Sequence, residues 1–106
     1  IIDRNNIQIS GTTEDVMPLE DLRGKWESFG WHVQEIDGNN IDSIIEAASM
    51  ARAITNKPSV IIAHTVPGKG VSFMEYDYRW HGTAPDDEQA RKAIEELESE
   101  RAGAVL

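Results

Sequence analysis

Apolar residues recur along this chain with two different periods, and the switches between them outline a fold. Val60-Ile61-Ile62-Ala63 is a continuous apolar run, the pattern of a strand buried on both faces of a parallel sheet. It stops at Pro67-Gly68-Lys69-Gly70 and gives way to a polar, aromatic loop that closes on Trp80-His81-Gly82. Ligands collect beyond the carboxyl ends of strands in open α/β sheets, so this loop is the first place to look for chemistry.

Upstream, residues 1–3 read as the end of a strand and residues 4–11 as its exit loop, because consecutive Asn residues tolerate turn conformations. Residues 11–16 continue the irregular stretch. Pro18 suits a first helical position, Glu20 and Asp21 suit a first turn, and Leu19, Leu22, Trp26 and Phe29 recur at helical spacing. This predicts a short amphipathic helix over residues 18–28, stopped by Gly30. Residues 31–36 alternate apolar with polar and meet the Asp37-Gly38 turn, a second strand. Asn40 is placed to cap a helix whose apolar face is Ile41, Ile44, Ile45, Ala48 and Ala51. Asp86 with Gln89 resembles a capping box opening a last, Glu-rich helix with Ala90, Ala93, Ile94 and Leu97 on one face.

Strands alternating with helices predict an α/β fold with a parallel sheet. Three strands with an open edge leave apolar surface uncovered, so the chain is expected to need a neighbouring chain or subunit for full stability. Ile1 and Ile2 already read as strand, and a piece of a longer protein is therefore expected.

Composition narrows the function classes. Nineteen acidic against ten basic residues give a formal charge of −9, which repels nucleic acid phosphates and anionic lipid, and no basic stripe opposes it. The sequence shows neither a long apolar run nor a signal pattern, which argues against membrane insertion. The absence of Cys removes disulfides and thiolate metal sites and is compatible with the cytoplasm.

Three places offer chemistry. Asp3-Arg4-Asn5-Asn6-Ile7 follows a strand, where an Asn oxygen and a main-chain carbonyl suit a hard cation such as Mg²⁺, although Asn-Asn in a loop is more often just a turn. Gly68-Lys69-Gly70 permits close backbone approach and adds a cation without having the spacing of a P-loop. His81, between Trp80 and Gly82 in a loop, suits hydrogen bonding or proton transfer. His32 and His64, in or at the end of strands, read as satisfied structural residues, and Glu95, Glu96, Glu98 and Glu100 as a solvated helix face.

In this order the motifs resemble the transketolases. Asp3-Arg4-Asn5-Asn6-Ile7-Gln8, Phe29-Gly30-Trp31, Ile36-Asp37-Gly38, Lys57-Pro58-Ser59, Thr65-Val66-Pro67-Gly68-Lys69-Gly70 and Trp80-His81-Gly82 carry the resemblance, which spans nearly the whole chain. It looks most like the amino-terminal subunit of split, two-subunit transketolases. The resemblance implies a three-layer α/β/α parallel-sheet fold that binds thiamine diphosphate, with residues 1–106 as the carboxyl-terminal part of the diphosphate-binding domain. It implies transfer of a two-carbon ketol unit from a ketose phosphate to an aldose phosphate, using thiamine diphosphate and Mg²⁺ (or Ca²⁺ or Mn²⁺). By the same resemblance Asn5 supplies a side-chain oxygen and Ile7 a main-chain carbonyl to the metal, while His81 lies beside the diphosphate and the donor sugar as the catalytic candidate. Gly68 and Lys69 fall in the cofactor-binding turn, where Pro67 stands in place of the family's basic residue and leaves Lys69 as its substitute.

The family's Gly-Asp-Gly is not in this sequence. The resemblance therefore implies partners: the rest of the diphosphate-binding domain, a pyrimidine-binding domain or subunit, and a homodimer or heterotetramer in the cytoplasm. The 106-residue chain alone is expected to be inactive. The rival readings are 1-deoxyxylulose-5-phosphate synthase, which uses the same cofactor, and a noncatalytic α/β binding module. The Gln8-Ile9-Ser10-Gly11 and Trp80-His81-Gly82 strings favour transketolase.

Overall fold

The computed structural model describes residues 1–104. In chain order its elements are β1 (Ile2–Arg4), β2 (Ile7–Gln8), β3 (Gly11–Thr12), α1 (Thr13–Val16), α2 (Leu22–Ser28), β4 (His32–Asp37), α3 (Ile41–Ala53), β5 (Ser59–His64), a 3₁₀ turn (Tyr78–Gly82) and α4 (Asp87–Ala104). They divide into two compact units. Ile1–Asn5 and Met17–Val66 form the first, and Asn6–Val16 with the segment from Pro67 onward form the second.

The first unit is built on the apolar run. β5 lies between β1 and β4, parallel to both, with Ile62 opposite Ile2 on one side and Glu35 on the other. A middle strand has neighbours on both edges and helices on both faces, which is why its sequence does not alternate. Val60 and Ile62 join Val33 in a core against which Ile2, Leu22, Trp26 and Trp31 pack, and Ile62 is fully buried. Trp26 and Trp31 meet edge to face, their ring centroids 4.7 Å apart. Ile61 and Ala63 are buried as well; by strand alternation they lie on the opposite face. There Gln34 Nε2 donates to the Ala47 carbonyl of α3 at 3.0 Å.

Caps set the helix boundaries and correct two readings. α2 starts at Leu22 rather than at Pro18, because Asp21 takes the cap, its carboxylate accepting from the Gly24 N–H at 2.9 Å, and Glu20 has φ 53°, outside the helical region. Phe29, expected on the apolar face, is the C-cap and is 81% exposed. Asn40 caps α3 as expected, accepting from the Ser43 N–H at 3.1 Å. The buried face of α3 is centred on Ala47, while Ile41 (70% exposed) and Ile45 (58%) stand off the sheet. His32 departs from its reading too: its Nδ1 and the Oγ of Ser59, opposite it in the β4–β5 register, are buried without hydrogen-bond partners among the described residues.

In the second unit, β2 and β3 pair antiparallel as a small hairpin where a loop was expected, and α1 follows it. The alternation of Ile7, Gln8 and Ile9 is too short to separate a two-residue strand from a turn. α4 opens with the expected capping box: the Asp86 N–H donates to Gln89 Oε1 at 2.9 Å, and the Gln89 N–H donates to Asp86 Oδ1 at 2.8 Å. No helix among the described residues is long and apolar enough to cross a membrane.

Candidate functional site

At the carboxyl end of the first unit's sheet, polar side chains tie the strand exits together. Thr65 Oγ1 donates to Asp3 Oδ1, the Gly38 N–H to the His64 carbonyl at 2.8 Å, and the Val66 N–H to Asn39 Oδ1 at 2.7 Å. Asn5, half-buried, leaves this edge directly after β1. His64, exposed at the end of β5, is within 3.0 Å of Glu35 Oε1, and the other Glu35 oxygen accepts from Arg23 at 3.3 Å. The His64 hydrogen bond first, and then Arg23, hold the Glu35 carboxyl below its ordinary range.

The second unit carries Ile7, Gly68, Lys69 and His81. Ile7 opens the hairpin, following Asn6, whose φ of 64° turns the chain between Asn5 and Ile7. Gly68 has φ 75°, and a Cβ there would lie 2.7 Å from Met74 Cβ and 2.8 Å from the Met74 carbonyl, so only glycine fits. The glycine is used for the loop's own packing. The Val71 N–H donates to the Gly68 carbonyl at 3.0 Å and the Tyr76 N–H to the Pro67 carbonyl at 3.1 Å, closing residues 67–76 on themselves. Lys69 is exposed in this loop and has no ion pair among the described residues.

His81 lies in the 3₁₀ turn rather than in an open loop. Asp77 caps that turn, accepting from the Arg79 N–H at 3.0 Å and from the Arg79 guanidinium at 2.6 Å. Arg79 thereby pulls the Asp77 carboxyl down, chiefly through the side-chain bond. Trp80 points its Nε1–H at the Phe73 carbonyl, 3.0 Å away, with the two rings 5.6 Å apart. Beside them is an open depression of about 570 Å³ whose lining includes Phe73, Trp80, Arg79 and Lys92 but not His81. The His81 ring is exposed and makes no hydrogen bond among the described residues, which leaves both nitrogens available to a ligand.

The family model described as transketolase, thiamine diphosphate binding domain, matches residues 1–102. The chain belongs to that family. It is 48% identical over 101 residues to an apulose-4-phosphate transketolase subunit of Phocaeicola vulgatus, a match covering 95% of this chain and 36% of that protein. Against the 6-deoxy-6-sulfo-D-fructose transketolase subunit SqwG of a Clostridium species it is 45% identical, over 94% of this chain and 36% of the relative. The chain thus spans about a third of the length of these curated relatives. The crystal structure of transketolase from Campylobacter jejuni superposes with a TM-score of 0.79 at 32% identity, over 90% of this chain and 15% of that one. The parallel α/β architecture expected from the strand and helix pattern, and the thiamine-diphosphate-binding family implied by the resemblance, are both borne out by these matches.

The donors expected to meet the cofactor's metal, the Asn5 amide oxygen and the Ile7 carbonyl, are hard oxygens of the right kind. Among the described residues no three His, Cys, Asp or Glu side chains gather into a metal cluster. Sequence reasoning missed Ser72, Phe73 and Glu96. The Glu96 carboxylate accepts from the Ser72 N–H and hydroxyl, a partner 24 residues away, and Phe73 offers only its main-chain carbonyl, so residue type and local spacing give no signal.

Proposed function

We propose that this chain forms part of the thiamine diphosphate site of a transketolase that moves a two-carbon ketol unit from a ketose phosphate to an aldose phosphate. The observation that carries this reading is His81, an exposed imidazole with no hydrogen-bond partner among the described residues, on an internally bonded turn and in the Trp80-His81-Gly82 string by which the chain resembles its family. His81 hydrogen-bonds the donor sugar's oxygens and handles protons as the carbon–carbon bond breaks. Thiamine diphosphate, when bound, supplies the nucleophile and electron sink that this chain's side chains lack. Asn5 and Ile7 would each offer an oxygen to Mg²⁺, or to Ca²⁺ or Mn²⁺, the hard-oxygen chemistry such a cation takes. Lys69 offers a cation to the diphosphate.

A pyrimidine-binding domain or subunit completes the site in a homodimer or heterotetramer, and the word "subunit" in both relatives' names supports a separate partner chain. Those relatives are named for a phosphate-bearing and a sulfo-bearing sugar. The substrate class is accordingly a sugar carrying a strong anion. Absence of Cys suits a cytoplasmic setting.

The test is titration of the assembled enzyme with thiamine diphosphate and Mg²⁺. Binding should depend on the metal, and Asn5→Ala should lower metal affinity at least about tenfold, with excess metal partly restoring cofactor binding. Metal-independent binding would sink the reading, and unchanged affinity in the variant would remove Asn5 from the site.

A further inference from the structure

Residues 71–77 form no helix or strand, yet α4 holds their start firmly. The Ser72 N–H donates to Glu96 Oε2 at 2.6 Å, and the Ser72 hydroxyl donates to Glu96 Oε1 at 2.8 Å. One carboxylate therefore takes both donors of one residue, a charge-assisted pair that fixes direction as well as distance. The main-chain bond first, and then the hydroxyl, hold the Glu96 carboxyl below its ordinary range. Its helix neighbours Glu95 and Glu100 instead take an Arg91 pair and a place beside Gly70, so Glu96 is not one of an equivalent acidic row.

Both sides of Ser72 are also constrained. Gly70 packs so closely on α4 that a Cβ would lie 2.8 Å from Leu97 Cδ2 and 2.9 Å from Glu100 Oε2. On the other side, Phe73 presents the carbonyl that accepts the Trp80 indole N–H at 3.0 Å, and Trp80 directly precedes His81. Consecutive links thus run from α4 to the 3₁₀ turn, all within the second unit. Phe73 and Trp80 are thus joined by both a hydrogen bond and a ring contact.

We propose that Glu96 is a positioning residue for His81: its carboxylate fixes Ser72, which fixes the Phe73 carbonyl, which holds the indole that sets the turn carrying His81. The inference deepens the reading of His81 as the group on the donor sugar and rests on it. A misplacement of about 1 Å at a reacting centre is enough to cost on the order of 10²-fold in rate, so an anchor this far from the chemistry matters through geometry alone.

The experiment uses the assembled holoenzyme carrying Glu96→Ala, Glu96→Gln, Ser72→Ala and the Glu96→Ala/Ser72→Ala pair, with 5-fluorotryptophan incorporated and the Trp80 signal assigned by Trp80→Phe. Glu96→Ala should lower kcat about tenfold while the donor KM and cofactor affinity stay within about twofold, and it should move the Trp80 fluorine resonance. Glu96→Gln keeps one acceptor oxygen and should lose less. Ser72→Ala keeps the N–H bond and should cost about threefold, and the double variant should match Glu96→Ala alone because both act through one carboxylate. An unmoved Trp80 signal in folded Glu96→Ala enzyme, or losses that multiply in the double variant, would overturn the proposal. His81→Ala run beside them separates the two ideas: normal turnover there, with a moved Trp80 signal in Glu96→Ala, refutes the role of His81 and leaves the anchor standing.

Discussion

The two units of this chain are held by different physics. In the first, a middle strand with four consecutive buried residues, Val60 to Ala63, organises everything around it, and the two flanking strands and helices follow its apolar surface. In the second, the segment from Pro67 to Trp80 buries little beyond Val71 and is shaped by glycines, carboxylate-to-main-chain bonds and one indole N–H. The first unit is stable because of what it hides, whereas the second is specific because of where it points its donors and acceptors.

Substitutions that respect one unit and damage the other sharpen this contrast. The largest effect on stability is expected for Ile62→Ala, which removes a fully buried side chain from the centre of the sheet. A loss of about 2–5 kcal/mol in a denaturant titration of the full protein is expected. A loss below about 1 kcal/mol, well under that range for a buried large-to-small change, would show that the core lies elsewhere. Next comes Gly68→Ala, which demands an alanine at φ 75° against Met74. It should cost about 1–3 kcal/mol, seen as faster hydrogen exchange in residues 67–77 with protection of β5 unchanged.

The smallest effect belongs to Glu35→Gln. The Glu35 side chain is 37% exposed, so solvent screening limits its pairs with His64 and Arg23 to no more than about 1 kcal/mol. Because the folded carboxyl is held below its ordinary range, its contribution is present above the unfolded value, near pH ~4.3, and fades as pH falls through the folded one. Stability of the wild type should therefore exceed that of Glu35→Gln near pH ~6 and converge with it in acid. A gap that widens toward low pH would contradict the assignment.

The contrast also explains what the sequence made legible. Strand β5, the Asn40 cap and the Asp86–Gln89 box were readable because each rests on a local pattern: a run, or a polar residue followed by its partner three positions on. The hairpin of Ile7–Gln8 with Gly11–Thr12 was missed because two-residue strands carry no period. Phe29, Ile41 and Ile45 have helical spacing, but spacing gives a face without saying whether anything covers it, and here they are exposed. Glu96 looked like its acidic neighbours, since its partner Ser72 is 24 residues away and one of the two bonds is to main chain. His81 is legible from its setting between Trp80 and Gly82, and the structure adds the turn that carries it and a ring without a hydrogen-bond partner among the described residues.

Under the proposed function, the second unit holds His81 for the chemical step rather than for cofactor binding. Steady-state ketol transfer by the assembled His81→Ala enzyme, paired with thiamine diphosphate titration, tests it most directly. Turnover should fall by on the order of 10²-fold or more while cofactor affinity changes much less. Near-normal turnover, or a loss confined to cofactor affinity, would contradict it.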